Sequence, residues 1–174
     1  MDQDESDPRV KRTRAAIIQA FTALVLTRRY DSIRTADLIA AAGVGRSTFY
    51  EHFRSKEAVL LAALDPVLRT LANAALGRAS KVQVRAMLEH VWEQRGFARP
   101  LFEGRAGAGL ERRLAALVLE RREADSGPAR MAAMAAAAAQ LTMVRLWIAG
   151  AVPCPPADLA PRMLACAHLL AEVC

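Results

Sequence analysis

The sequence predicts an all-α protein of about nine helices, a short head followed by a longer body. Nearly every window is filled by Ala, Leu, Arg and Glu, which favour helices, and no alternation of β-branched residues is sustained anywhere. The 174 residues, 53% of them apolar, suffice for a packed core without metal or disulfide staples.

Taken in order, the first helix is expected over 10–28. Val10, Ile17, Phe21, Leu24 and Val25 recur there at helical spacing, with Lys11, Arg12, Arg14 and Arg28 on the remaining face. YDSIR then breaks the run. A short second helix is expected over Thr35–Ala42, with Asp37 in its first turn, where a carboxylate suits the free N–H groups. GVG at 43–45 leaves room only for a tight corner before a third helix over 46–53. Ser55 is placed to cap a fourth over 56–76, in which Pro66 should bend the helix or mark a boundary near residues 64–65, and which Gly77 should end.

Beyond Gly77 the pattern suggests a helix over 81–95, a short irregular one over 99–104 and another over 109–123, with GRAGAG and DSGP as connections. Two final helices follow over 128–149 and 157–173, joined by the corner VPCPP. The domain organisation this implies is an acidic tail over 1–8, a head over 9–60 and a body over 61–174.

Charge narrows the function classes. The net charge of +6 is unevenly spread: residues 1–8 carry four acids and no base, whereas residues 9–60 carry ten Lys and Arg against four acids. That density favours a polyanionic partner such as nucleic acid, although a chain with twenty-one Arg is basic throughout. The N-terminus MDQDESDP has the wrong sign for a secretory leader, and no apolar run reaches the roughly 18 residues a bilayer span needs, so a cytoplasmic location is expected. Cys154, Cys166 and Cys174 have no metal-ligand spacing and read as reduced thiols, with redox sensing as the alternative. No nucleophile has a base beside it, and no phosphate-cradling loop or carboxylate pair occurs. Neither an enzyme nor a resident cofactor or metal is expected.

A helix of eight residues, a glycine turn and a second short helix make a helix-turn-helix, whose second helix enters the DNA major groove. Leu38, Ile39, Ala42, Val44, Phe49 and Phe53 can pack inward. Arg46, Ser47, Thr48, Tyr50 and His52 are then left to face outward, where arginine suits guanine edges and hydroxyls suit phosphate oxygens. His52 is also readable as a surface histidine without a role.

The run from Ile33 to Leu60, above all AGVGRSTFYEHFRSKEAVL, resembles the DNA-binding head of the TetR family of bacterial transcriptional regulators. The resemblance covers about a third of the chain, in the pattern A-G-V-x-x-x-T-x-Y-x-x-F-x-x-K-E. It implies that Thr35, Thr48, Tyr50 and Lys56 anchor phosphates and that Arg46, Ser47 and His52 address base edges. This chain departs from the family in carrying Arg34 where many members have a threonine cap, and Gly45 where serine is common. The resemblance further implies a body that binds a small effector and dimerises through its last two helices.

Met87, Trp92, Phe97, Phe102 and Leu117 are the candidate effector-pocket residues, with plain core as their other reading. Arg145 or Glu89 would supply a polar anchor or simply an ion pair. For the dimer seam, Leu159, Met163, Cys166, Leu170 and Val173 form one stripe, and Met131, Met134, Ala138, Leu141 and Ile148 another, interrupted by Arg145. The other reading is that one stripe serves only the monomer's own core. The expected function is a homodimeric DNA-binding regulator, a repressor on a palindromic operator released by an effector. The alternatives are a helical binding or adaptor protein with an idle head, or a DNA-binding regulator without an effector.

Overall fold

A computed structural model describes residues 7–103, 106–122 and 126–167. Ten α-helices and one 3₁₀ turn, with no strand, make up these described residues. The chain divides into two compact units, 1–64 and 65–174.

In the first unit α1 spans Pro8–Thr27. It starts two residues before the expected position because Asp7 caps it, its carboxylate accepting from the Arg9 N–H at 2.7 Å, and because Pro8 suits the first helical position. Ile17, Phe21 and Val25 are its buried face, which packs on α2 (Thr35–Ala42) and α4 (Lys56–Ala63). YDSIR forms the 3₁₀ turn Tyr30–Ser32. Arg34 gives α2 no side-chain cap; instead the Asp37 carboxylate accepts from the Arg34 N–H at 2.8 Å. Gly43 ends α2 at φ 64°, a left-handed conformation that a side chain would strain. The recognition-type helix α3 covers Arg46–His52, one residue shorter than expected because Phe53 is already extended.

The expected long fourth helix is two helices. α4 ends at Ala63 and α5 runs over Asp65–Ala75, with Pro66 in the first turn of the second, where its missing N–H costs nothing. Gly77, at φ 67°, closes α5 with the Arg78 N–H on the Asn73 carbonyl at 2.8 Å.

In the second unit α6 spans Lys81–Glu93 and opens on a reciprocal cap between Ser80 and Gln83. α7 covers Arg95–Glu103, where only a shorter irregular helix was expected. Pro100 sits inside it on the solvent side, one turn after the side-chain-free Gly96 on the same face. α8 (Ala106–Arg122) and α9 (Gly127–Ile148) pack together, and the first half of α9 buries only alanines: Ala129, Ala132, Ala133, Ala136 and Ala137. Asp65 binds Arg69 and, at 3.7 Å, Arg113, which also pairs with Glu120 at 2.9 Å, so α5 is tied to α8. Gln140, fully buried on α9, reaches the backbone of α5 or α10 according to how its amide is turned. α10 runs over Pro156–Ala165 and packs on α5 and α6. It gives way to a turn at Cys166 and Ala167 rather than continuing, and 168–174 lie outside the described residues.

The length and composition of α9 are enough to cross a membrane, which corrects the expectation that no stretch would qualify. Half of its apolar window is packed inside the bundle, as befits the core helix of a helical domain.

Candidate nucleic-acid interface

The outward face of α3 is built from the inside. Phe49 is fully buried and Phe53 nearly so, with ring centroids 6.3 Å apart, and these two aromatics seat the helix on the core. Its helical period then turns Arg46, Ser47, Tyr50 and Glu51 to solvent, with Thr48 and His52 half-buried. Tyr50 is 45% exposed, and the Arg46 guanidinium lies over its ring at 5.8 Å. Thr35 is half-buried at the first position of α2. Arg9, Lys11 and Arg12 are exposed on α1. Arginine, hydroxyl and phenol groups thus share one short exposed helix, with Glu51 the single acid on it.

Lys56 has a different part from the one expected. Its ammonium donates to the Tyr30 carbonyl at 3.0 Å and the Ile33 carbonyl at 2.8 Å, and lies 4.4 Å from the centroid of the Tyr30 ring. These contacts clamp the 3₁₀ turn to the start of α4 and take up two of the ammonium's three N–H donors, while its positive charge remains. The Tyr30 hydroxyl completes the knot by donating to Glu57 at 3.3 Å, and its ring meets Phe21 edge-on. Burial, and next the Glu57 charge, push the Tyr30 phenol well above its ordinary range. For Glu57, burial opposes ionisation. The backbone N–H, the Ser55 hydroxyl, Lys56 and Tyr30 together outweigh it and hold the carboxyl below its usual value. This carboxylate therefore contributes stability above its unfolded-state pKa, which is lost as the pH falls through the lowered one.

Replacing Lys56 with Met should cost the head about 1–3 kcal/mol, since two charge-assisted hydrogen bonds go and nothing replaces them. Thermal melting monitored by far-ultraviolet circular dichroism reads this. An unchanged midpoint would return Lys56 to the free cations.

The other candidates fare unevenly. Met87 and Leu117 are core residues, Phe97 is half-buried and Trp92 is 38% exposed at the surface. Phe102, one of the five expected pocket residues, lines a space of about 180 Å³ shared with Gly107, Ala108, Glu111, Leu141, Thr142 and Arg145. Glu89 pairs with Arg85 at 3.4 Å within α6.

The expected seam residues Leu141, Ile148, Leu159 and Met163 are all buried within the monomer, so that stripe serves its own core. Cys166 is half-buried, burial pushing its thiol up, and Leu170 and Val173 lie outside the described residues. Among the residues that α9 leaves exposed are Met131, at 74%, and Met134, at 56%, followed along the same face by the half-buried Ala138 and the exposed Thr142.

Comparison with known proteins agrees with the geometry. Residues 17–63 match the family of bacterial regulatory proteins, tetR family. The HTH-type transcriptional regulator EthR of Mycolicibacterium smegmatis is 44% identical over 55 residues, which is 32% of this chain and 25% of EthR. The chain thus spans about a quarter of that relative's length. Among solved structures, a TetR transcriptional regulator from Streptococcus agalactiae superposes with a TM-score of 0.56 at 23% identity, covering 91% of this chain and 95% of that one. Thermus thermophilus FadR, a TetR-family repressor solved with lauroyl-CoA, gives 0.54 at 20% identity, covering 92% and 94%. The head of this chain, residues 17–63, is that of the bacterial tetR family of regulatory proteins, and the chain that carries it has the TetR fold.

Proposed function

We propose that this protein is a DNA-binding transcriptional regulator, a repressor that binds a palindromic operator as a homodimer and leaves it when a small effector occupies the body. The observation that carries the reading is the exposed face of α3, where Arg46, Ser47 and Tyr50 stand outward on a helix whose Phe49 and Phe53 are sunk in the core. Thr48 and Thr35 lie near enough to the surface to join Tyr50 in holding phosphates, and His52 is a further base-edge contact. Lys56 is left out of this set.

Dimerisation is assigned to the outward face of α9, through Met131, Met134, Ala138 and Thr142, in place of the buried residues. For the effector, the cavity beside Phe102 offers an apolar wall with Arg145, Thr142 and Glu111 as polar groups. The solved FadR complex holds lauroyl-CoA, which supports an effector in a body of this fold. An effector acts only through its different affinity for the DNA-competent and incompetent states.

Selection from a random duplex pool at moderate salt tests the reading. An inverted repeat with half-site centres about 34–36 Å apart is expected, and a folded protein that enriches no sequence would remove it. On the selected duplex, Arg46→Ala should cost about 1–3 kcal/mol and relax preference at particular base pairs. Tyr50→Phe should weaken every sequence alike, because a phosphate contact carries no base information.

A further inference from the structure

In the first unit Arg14 is the residue that joins α1 to the far end of α3. Its guanidinium lies 4.4 Å from the centroid of the Phe53 ring, and its Nη1 donates to the His52 carbonyl at 3.3 Å. Two separate parts of one side chain are thus used, the flat cationic face on an aromatic and an N–H on a carbonyl. His52 is the last residue of α3, so its carbonyl is one of those a helix leaves without an internal partner. A cation there also complements the negative end of the helix.

The start of α3 is fixed by the turn from Gly43 to Gly45, its middle by Phe49 in the core, and its far end by Phe53, nearly buried just past the last helical residue and under the Arg14 guanidinium. α1 packs broadly on α2 and α4, and the Arg14 hydrogen bond ties it directly to the last turn of α3. A seven-residue helix is about 10 Å long, and a tilt of about 10° around its first turn would carry its last turn about 2 Å sideways. That displacement exceeds the tolerance of a hydrogen bond to a base edge.

We infer that Arg14 is a positioning residue for DNA reading: it touches no base, but holds the Tyr50 and His52 end of α3 at the angle at which the helix reads. The inference rests on the proposed DNA binding. It assigns Arg14, itself exposed, a part distinct from that of the exposed cations Arg9 and Lys11 on the same helix, and of Arg12, whose Nε donates to the Pro8 carbonyl at 3.2 Å within α1.

The test uses the full chain and the duplex selected from the random pool, together with every single-base variant of that duplex. Arg14→Met keeps the apolar stem over Phe53 but removes the charge and the fork. It should lose about five- to tenfold on the selected duplex and no more than about twofold on random duplex. The discrimination lost should fall at base pairs facing the end of α3, with those facing Arg46 retained. The slope of affinity against salt should not move.

A uniform loss on all duplexes, with the slope lowered by about one, would make Arg14 a phosphate contact and overturn the inference. Unchanged discrimination would overturn it too. Arg14→Lys, which keeps stem and charge, should recover part of the lost discrimination, and it carries the same test if circular dichroism finds the Met variant unfolded. A parent protein that enriches no duplex would remove the DNA-binding reading and this inference with it. A selective parent with an equally selective Arg14→Met would remove the inference alone.

Discussion

Phe49→Ala is expected to unfold the head while leaving the body helical. Phe49 has no exposed surface and forms, with Ile17, Phe21, Val25, Ile33, Leu38, Phe53, Val59 and Leu60, the whole buried apolar core of the first unit. Truncating a buried phenylalanine costs about 3–5 kcal/mol, from the lost burial and from the cavity that remains. A unit of some sixty residues has little beyond about 5 kcal/mol to lose, because small domains bury a smaller share of their surface. The variant should therefore lose part of its helical signal near room temperature, bind no duplex, and be cut by protease on the N-terminal side of residue 64. Phe49→Leu, which keeps most of the volume, should lie between the variant and the parent. A Phe49→Ala protein that melts like its parent would mean that α3 is seated by something other than this ring. Loss of the body's helices in the same step would mean that the two units do not stand alone.

The head was largely legible in the sequence and the body only in outline, for a physical reason. In the head, special residues do single jobs: Gly43 needs its left-handed φ, Ser55 accepts from the Ala58 N–H, and Phe49 and Phe53 fill a small core. Such positions announce themselves by residue type. Lys56 did not, because a lysine beside an exposed helix reads the same whether its ammonium meets solvent or two carbonyls 23 and 26 residues earlier. The clue available was Tyr30, an aromatic within a short break that needs a partner on α4.

In the body, periodicity found the helices but not which face met which neighbour. Met163 and Leu141 sit in stripes that fit a seam between copies as well as a core, and only the packing of α10 on α5 and α6, and of α9 on α8, α7 and α5, decides for the core. Alanine adds to the ambiguity, since it has no bulk to mark a buried face. The alanines of α9 alternate between buried, as at Ala136, and exposed, as at Ala135, without any change of residue type.

Trp147→Ala should be the most damaging single change in the body, at about 3–5 kcal/mol. Trp147 is only 2% exposed, its ring lies 4.9 Å from that of Trp92, and its indole N–H donates to the Cys154 carbonyl at 2.8 Å. Trp92 in turn lies under the Arg95 guanidinium at 4.6 Å, so the pair forms a stack from the core of α9 to the surface of α6 and α7. The hydrogen bond gives this tryptophan a second role. It tethers the connection between α9 and α10 at Cys154, where prolines on both sides leave few backbone donors to hold the chain.

Volume and tether separate in two variants. Trp147→Phe keeps most of the aromatic burial and leaves the Cys154 carbonyl unpaired, for a cost of about 1–2 kcal/mol. Its effect should concentrate in faster hydrogen exchange across 149–155 and the start of α10. Trp147→Ala should in addition lower the denaturant midpoint of the whole body. Equal destabilisation by the two variants would mean that the tether, not the ring, carries the energy. A Trp147→Phe protein with unchanged exchange would mean that α10 is held by its packing on α5 and α6 alone, and that the proline corner needs no anchor.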